Sequence, residues 1–222
     1  MEVWQSNISL YEVVTNNATA SGMGLAVAEA LKARGDWDLH LLDLNDQAGK
    51  KVAADLSATF HKVNVTDYAS LAATFDKVHK ANGRLDFVFA NAGIVERFSF
   101  YDKHDTDGPP PPLNQLSIDI NLKAVVDTTY LAQHYFRKSS AKGDKVLVMT
   151  SSCGGLYPSP FCPMYSAAKH AVSVTFLACY HLLLELTTTI SSSASHVVWP
   201  STTSLMTEFA STPFVQGLCV LV

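Results

Sequence analysis

Hydrophobic positions along the chain follow two alternating spacings. Short apolar runs are typical of strands buried on both faces, and between them apolar residues recur every three or four positions, as on one side of a helix. The runs predict strands at 12–15, 39–42, 60–65, 85–90, 146–149 and 196–199. The helical spacing predicts helices at 22–34, 46–56, 67–82, 113–138 and 165–186. Strands that alternate with helices indicate an α/β fold of three layers, in which helices cover both faces of a parallel sheet.

One segment interrupts this alternation. Residues 103–112 end in Gly108 and four consecutive prolines, Pro109 to Pro112. Proline cannot continue a helix and favours an extended backbone. We interpret the segment as an insertion loop, with a lid or a partner-docking segment as the alternative.

Composition narrows the class of protein. A chain of 222 residues, 48% of them hydrophobic, fits one domain spanning 1–222. Sixteen Lys and Arg against twenty Asp and Glu give a net charge of −4, and no basic run indicates a nucleic-acid partner. No apolar stretch reaches the roughly 18 residues of a membrane span, and the N-terminus lacks the pattern of a signal peptide. The four cysteines form no Cys-x-x-Cys pair, so we expect a cytoplasmic protein without a metal site.

Two glycines lie where the first predicted strand gives way to a helix. Backbone N–H groups at Gly22 and Gly24 can approach a pyrophosphate closely, and the helix N-terminus favours its negative charge. Asp43 ends the second predicted strand, nineteen residues after Gly24. A carboxylate at this position accepts hydrogen bonds from an adenosine ribose and repels a 2′-phosphate. The alternative is an ordinary turn followed by a solvated Asp43.

A further short motif, Asn91-Ala92-Gly93, directly follows the fourth predicted strand. Ligands bind at the carboxyl ends of strands in such sheets, and small residues there let the backbone approach the ligand. By itself the motif is equally compatible with a tight turn.

Candidate catalytic residues follow the fifth predicted strand. Tyr165 and Lys169 are one helical turn apart, so an ammonium can stabilise a phenolate on the same helix face. Ser151 and Ser152 precede Tyr165 by fourteen and thirteen residues, and a hydroxyl there could bind a substrate oxygen. Asn121, in the preceding long helix, could hold a water behind Lys169. Each of these residues taken singly is equally compatible with packing or capping.

These motifs together resemble the short-chain dehydrogenase/reductase family, and most closely its hydroxyprostaglandin dehydrogenase-like branch. The stretches that carry the likeness occur in family order and at family spacing: 21–25, 43–45, 91–94, 121–123, 151–155 and 165–169. The resemblance covers about residues 10–180. It implies a single NAD(P)-binding domain, with a Rossmann-like, doubly wound parallel sheet that is shortened at the C-terminus.

The resemblance also implies a set of site residues. The catalytic tetrad would be Asn121, Ser152, Tyr165 and Lys169. The cofactor-binding residues would be Ser21, Gly22, Met23, Gly24, Asp43, Asn64, Val65, Asn91, Ala92, Gly93, Tyr165, Lys169, Pro200 and Thr202. Asp43 implies NAD in preference to NADP.

The expected substrate is a small secondary alcohol or ketone, and a homo-oligomer is left open. The aromatic residues Phe98, Phe100, Tyr157 and Phe161 suggest that this substrate is apolar. Simple loop packing of these four side chains is the alternative.

The chain departs from the family pattern at several positions. The first glycine of the glycine loop is missing, either because Ala18 replaces it or because Thr15 is the family threonine and two residues are inserted. Asn64 stands where the family has aspartate, Ser201 where it has glycine, and Leu205 where it has a threonine. The sequence also stops before the family's last strand and helix. Two interpretations therefore remain: an NAD-dependent oxidoreductase, or a truncated or repurposed relative that serves as a binding scaffold or catalyses non-redox chemistry.

Overall fold

The computed structural model describes residues 7–12, 22–97, 99–139, 145–190 and 220–221. In 7–12, 177–190 and 220–221 only the backbone is described. The strands are β1 (Asn7–Glu12), β2 (Trp37–Asp43), β3 (Thr59–Lys62), β4 (Phe87–Ala90), β5 (Val146–Thr150) and β6 (Val220–Leu221). The α-helices are α1 (Met23–Arg34), α2 (Asp46–Leu56), α3 (Tyr68–Asn82), α4 (Leu116–Ile118), α5 (Ala124–Lys138) and α6 (Pro163–Ile190). A π-helical segment, Asp119–Lys123, joins α4 to α5, and a 3₁₀ turn, Cys153–Gly155, follows β5.

The strands form one sheet in the order β3-β2-β1-β4-β5-β6. All pairs from β3 to β5 are parallel, as the sequence predicts, and only β6 runs antiparallel to its neighbour β5. The direction in which strands are added reverses between β1 and β4. From β1 the chain first adds β2 and β3 on one side, and it then adds β4 and β5 on the other side of β1. In an open α/β sheet, ligands bind outside the carboxyl ends of the strands at such a reversal.

The first and last strands differ from their predicted positions. The first strand is Asn7–Glu12, ahead of the predicted 12–15, and residues 13–15 lie outside the described part of the chain. Strand pairing explains the shift, since residues of β1 pair with both β2 and β4. Leu10, for example, lies opposite His40 of β2 and Val88 of β4. The predicted strand at 196–199 also lies outside the described residues, and the strand beside β5 is β6.

Helices pack on both faces of the sheet, which confirms the predicted three layers. On one face, Leu31 of α1 and Val52 of α2 belong to the same buried cluster as Phe89 of β4. On the other face, Phe75 of α3 and Leu131 of α5 cluster with sheet residues. Within the described ranges, no helix combines the length and apolar character needed to cross a membrane.

Candidate active site

The π-helical segment brings the Asn121 side chain into contact with the segment that follows β4. Its side chain is fully buried, and its amide nitrogen donates hydrogen bonds to the Ile94 carbonyl (2.6 Å) and the Ser117 carbonyl (2.8 Å). Its amide oxygen accepts a hydrogen bond from the Ile94 N–H (3.1 Å). The side chain therefore fixes the chain that leaves β4, and both of its N–H groups already have protein partners.

The motif after β4 lies against the candidate catalytic residues. The Thr150 hydroxyl, at the end of β5, donates to the Asn91 side-chain oxygen (2.9 Å), and Ala92 is fully buried. A Cβ added to Gly93 would lie 2.7 Å from the Asn121 side-chain oxygen and 3.5 Å from Lys169 Nζ. A side chain at position 93 would therefore collide with Asn121, so this position requires glycine. The segment after β4, the π-helical segment and α6 meet at Gly93.

Tyr165 and Lys169 occupy neighbouring turns of α6. The Lys169 side chain is buried; its Nζ lies 5.8 Å from the centroid of the Tyr165 ring and donates to the Thr150 carbonyl at 2.8 Å. Burial lowers the pKa of Lys169 to about 8, because the charged form loses contact with water. The ammonium thus remains the dominant form at neutral pH, close to the ring whose phenolate it would stabilise.

The two serines after β5 have different surroundings. Ser151 is fully buried, and its hydroxyl donates to the Lys169 carbonyl (3.1 Å) and lies 2.9 Å from the Ser173 hydroxyl. The Ser152 hydroxyl instead accepts a hydrogen bond from the Gly154 N–H at 3.1 Å. A Cβ added to Gly154 would lie 3.2 Å from Tyr165 Cε1 and 3.6 Å from Ser152 Oγ. Ser152 and Tyr165 therefore flank the same glycine, whereas Ser151 holds α6 to the sheet.

The candidate nucleotide end lies at the start of α1 and the end of β2. Gly22 precedes α1 with φ +147°, a conformation that favours glycine, and no described side chain caps this helix N-terminus. Met23 is half-buried and Gly24 is buried in the first turn. Asp43 ends β2, is mostly buried, and accepts a hydrogen bond from the Asn45 N–H at 2.7 Å. An uncapped helix N-terminus beside a carboxylate at the next strand end suits the phosphates and ribose of a dinucleotide.

The predicted adenine-flanking residues follow β3. Asn64 is exposed, and its side-chain oxygen accepts hydrogen bonds from the N–H (3.2 Å) and hydroxyl (2.9 Å) of Thr66. Val65 is half-buried. Three predicted cofactor-binding residues lie outside the described part of the chain: Ser21, Pro200 and Thr202. The departures at 15–18, 201 and 205 lie outside it as well.

Sequence reasoning missed two residues that contact the predicted site. Thr150 holds Asn91 through its hydroxyl and Lys169 through its carbonyl. Glu96, five residues beyond Asn91, accepts a hydrogen bond from the backbone N–H of Tyr165 at 2.8 Å. The charged pair Glu96 and Arg97, directly after the apolar pair Ile94 and Val95, is the one sequence signal that could have marked Glu96.

A pocket opens beside these residues, lined by Ile94, Glu96, Arg97, Asn114, Leu116 and Ser117. The exposed proline segment leads directly into its rim, since Asn114 follows Pro112 by two residues. Three of the predicted aromatic residues are exposed: Phe100, Tyr157 and Phe161. The fourth, Phe98, lies outside the described residues.

The strand order and the glycine turn at the start of α1 define a Rossmann-type dinucleotide-binding fold. A sequence profile described as "short chain dehydrogenase" matches residues 12–198. The chain therefore belongs to the short-chain dehydrogenase/reductase family.

Individual proteins show the same likeness. The chain is 54% identical over 157 residues to the short-chain dehydrogenase/reductase prx7 of Penicillium rubens, which covers 68% of this chain and 56% of that protein. It is 30% identical over 168 residues to human 15-hydroxyprostaglandin dehydrogenase [NAD(+)], covering 72% of this chain and 58% of the relative. The crystal structure of a short-chain dehydrogenase/reductase from Burkholderia phymatum in complex with NAD has a TM-score of 0.67 at 22% identity, over 84% of this chain and 63% of that one. This chain thus spans little more than half the length of these two curated relatives.

Proposed function

We propose that the chain is an NAD-dependent oxidoreductase that interconverts a secondary alcohol and a ketone. The observation that carries the proposal is the placement of the buried Lys169 Nζ 5.8 Å from the Tyr165 ring centroid, with Ser152 across Gly154 from the same ring. A phenol, a cation and a hydroxyl close together are the groups that such a proton transfer needs, which supports the proposal.

In the proposed reaction, each residue handles a proton or a reacting oxygen. Bound NAD would supply the hydride acceptor for alcohol oxidation. Lys169 stabilises the phenolate form of Tyr165 and binds the nicotinamide ribose, and the phenolate takes the proton of the substrate hydroxyl and becomes neutral as the hydride leaves the carbon that bears this hydroxyl. Ser152 donates a hydrogen bond that orients the reacting oxygen, and Asn121 supports a proton relay through water. Since both side-chain N–H groups of Asn121 have protein partners, that relay would use its backbone carbonyl or its side-chain oxygen.

The proposed cofactor contacts follow the strand ends. Gly22, Met23 and Gly24 would hold the pyrophosphate at the start of α1, where helix polarity favours an anion. Asn64 and Val65 would flank the adenine, and the motif 91–93 would lie along the cofactor. The contacts predicted for Ser21, Pro200 and Thr202 remain predictions from the sequence.

NAD is the proposed cofactor, rather than NADP, because of Asp43. Its carboxylate would accept hydrogen bonds from the ribose hydroxyls, and a 2′-phosphate there would meet a like charge. The name of the human relative includes NAD(+), which supports the assignment.

The proposed substrate is apolar. Ile94 and Leu116 line the pocket together with Glu96, Arg97, Asn114 and Ser117, and Tyr157 and Phe161 are exposed on the segment between β5 and α6. The human relative is named for a 15-hydroxyprostaglandin. A cytoplasmic location remains a prediction from the sequence, and a homo-oligomer is left open.

A repurposed relative is the second candidate, and the absence of the family's first glycine near residues 15–18 favours it. Such a protein would bind a ligand without redox chemistry. Cofactor binding and NAD-dependent turnover separate the two candidates, because only an NAD-dependent oxidoreductase needs both.

The test measures NADH and NADPH binding by fluorescence energy transfer from tryptophan, followed by the change in absorbance at 340 nm with NAD⁺ and a panel of secondary alcohols. The panel runs from 2-butanol to 1-phenylethanol and 4-phenyl-2-butanol, so that apolar size increases. We expect NADH to bind more tightly than NADPH and the larger alcohols to be oxidised faster. Binding of neither dinucleotide would contradict the proposal.

A further inference from the structure

Glu96 connects two parts of the site that are far apart in the sequence. It lies in the segment after β4, half-buried, and its Oε2 accepts a hydrogen bond from the backbone N–H of Tyr165 at 2.8 Å. The contact joins the segment that follows the cofactor-facing motif 91–93 to the first turn of the helix that carries Tyr165 and Lys169.

The N–H of Tyr165 needs an acceptor from outside its helix. α6 begins at Pro163, and the N–H of Ser166 already donates to the Cys162 carbonyl at 3.0 Å. N–H groups in the first turn of a helix have no acceptor within the helix. Glu96 supplies one for Tyr165, and its negative charge both strengthens the hydrogen bond and complements the positive end of the helix dipole.

The segment that carries Glu96 is itself fixed two residues earlier. The Ile94 N–H donates to the Asn121 side-chain oxygen (3.1 Å), and the Ile94 carbonyl accepts from the Asn121 amide nitrogen (2.6 Å). A short stretch of backbone therefore links the π-helical segment to the backbone of Tyr165. Movement of that stretch would move Tyr165 relative to Asn121.

The second carboxylate oxygen of Glu96 has no partner in the described protein. Oε1 is buried and makes no hydrogen bond to a described residue. Leaving a buried carboxylate oxygen unpaired lowers stability. Such an atom calls for an explanation, by a catalytic role or by a bound water, and Glu96 also lines the pocket.

We propose that Glu96 is a positioning residue, which fixes the first turn of α6 so that the Tyr165 side chain meets the reacting oxygen in one geometry. The proposal rests on the proposed function, since the position of Tyr165 affects turnover only if Tyr165 transfers the proton. Small displacements matter in such sites, because misplacing a reacting group by about 1 Å can lower turnover about 100-fold.

Two substitutions separate the hydrogen bond from the charge. Glu96→Ala removes both, whereas Glu96→Gln keeps an oxygen acceptor for the Tyr165 N–H. Asp102→Ala is the matched control, because it removes an exposed carboxylate from the same loop region. Three quantities are measured: the hydrogen-exchange protection of the Tyr165 amide by NMR, the ring signal of Tyr165 in ¹³C-tyrosine-labelled protein, and kcat and KM with NAD⁺ and 4-phenyl-2-butanol. The Tyr165→Phe variant assigns the ring signal.

In Glu96→Ala we expect loss of amide protection at Tyr165, a displaced ring signal, and a fall in kcat of about 10- to 100-fold with a smaller change in KM. In Glu96→Gln the protection and the ring signal should be retained and kcat should recover to within severalfold of wild type. Asp102→Ala should match wild type in all three measurements.

Wild-type amide protection of Tyr165 in Glu96→Ala would overturn the proposal, and so would lost protection with unchanged kcat and ring signal. A fall in kcat that only matches the loss of folded protein would overturn it as well. If the wild-type chain oxidises no alcohol in the panel, the proposed function fails separately. The ring signal then decides the role of Glu96: displacement in Glu96→Ala but not in Glu96→Gln supports positioning, and no displacement overturns it.

Discussion

Replacing Gly155 by alanine tests how closely the turn after β5 packs against α6. A Cβ at this position would lie 2.6 Å from Ser151 Oγ, 2.7 Å from the Lys169 carbonyl oxygen and 2.9 Å from the Lys169 carbonyl carbon. Two of these three atoms belong to the backbone of α6, which cannot rotate away. To reach the 3.4 Å of ordinary contact, the turn must move by about 0.7 Å from the Lys169 oxygen.

The size of the effect follows from this overlap. Overpacking a well-filled interior costs typically about 1–3 kcal/mol. At about 2 kcal/mol, a protein of this size would lose about 4–8 °C in Tm. The turn carries Ser152 and the displaced helix carries Lys169, so we also expect turnover to fall about 10- to 100-fold.

Gly108→Ala is the matched control for this prediction. No atom lies within 4 Å of a Cβ added at Gly108, and its φ is not positive. Both substitutions restrict the unfolded chain equally, so the difference in Tm between them reports the overlap in the folded state. The assays are thermal unfolding by circular dichroism and NAD⁺-dependent alcohol oxidation. Equal Tm and equal turnover in the two variants would refute the close packing of Gly155 against α6.

Three further predictions concern the cofactor, the serines and the effect of pH on stability. Asp43→Ala should narrow the ratio of the NADPH and NADH dissociation constants, because the carboxylate that repels a 2′-phosphate is removed; an unchanged ratio would contradict the role of Asp43. Ser152→Ala should lower kcat much more than Ser151→Ala, because only Ser152 flanks Tyr165 across Gly154, and steady-state kinetics checks the order. Burial, and then the adjacent His40 ring, lowers the pKa of His61 to about 4 from the usual 6.5. The neutral form is therefore favoured by folding, and stability is retained above about pH 6.5 and lost as the pH falls toward 4. Urea unfolding of wild type and His61→Gln between pH 7 and pH 4 measures this loss of stability. An equal change of the free energy of unfolding with pH in the two proteins would contradict the prediction.

The sequence predicts the central elements of the sheet well because their patterns depend on local chemistry. The helix Asp46–Leu56 has its predicted bounds, since the Asn45 side chain caps its N-terminus and apolar residues recur on one face. The strand Val146–Thr150 differs from its prediction by one residue. Each consists of residues whose burial is visible in a short window of sequence.

Other features depend on contacts between distant segments. The predicted helix 113–138 contains the π-helical turn Asp119–Lys123, and the apolar spacing of the sequence does not distinguish this turn from an α-helix. The buried Asn121 side chain in this turn donates to the Ile94 carbonyl, 27 positions away, and no local pattern encodes that contact. The position of β1 depends in the same way on its two neighbouring strands.

In the candidate site, too, local sequence spacing predicts some of the contacts, whereas others depend on distant segments. The spacing of Tyr165 and Lys169 predicts that they share a helix face, and the structure brings them together. The different surroundings of Ser151 and Ser152 could be expected only from the family resemblance, because their spacing from Tyr165 differs by one residue. The hydrogen bond from Tyr165 to Glu96 spans 69 positions and has no counterpart in local pattern.

The proton transfer assigned to Tyr165 is tested most directly by Tyr165→Phe, in which the hydroxyl is removed and the ring is kept. The measurement is kcat for NAD⁺-dependent oxidation of the best alcohol in the panel, together with the NADH dissociation constant and Tm of both proteins. We expect kcat to fall about 10²- to 10⁴-fold, with NADH affinity and Tm close to wild type. Wild-type kcat in Tyr165→Phe would contradict the assignment of the proton transfer to Tyr165.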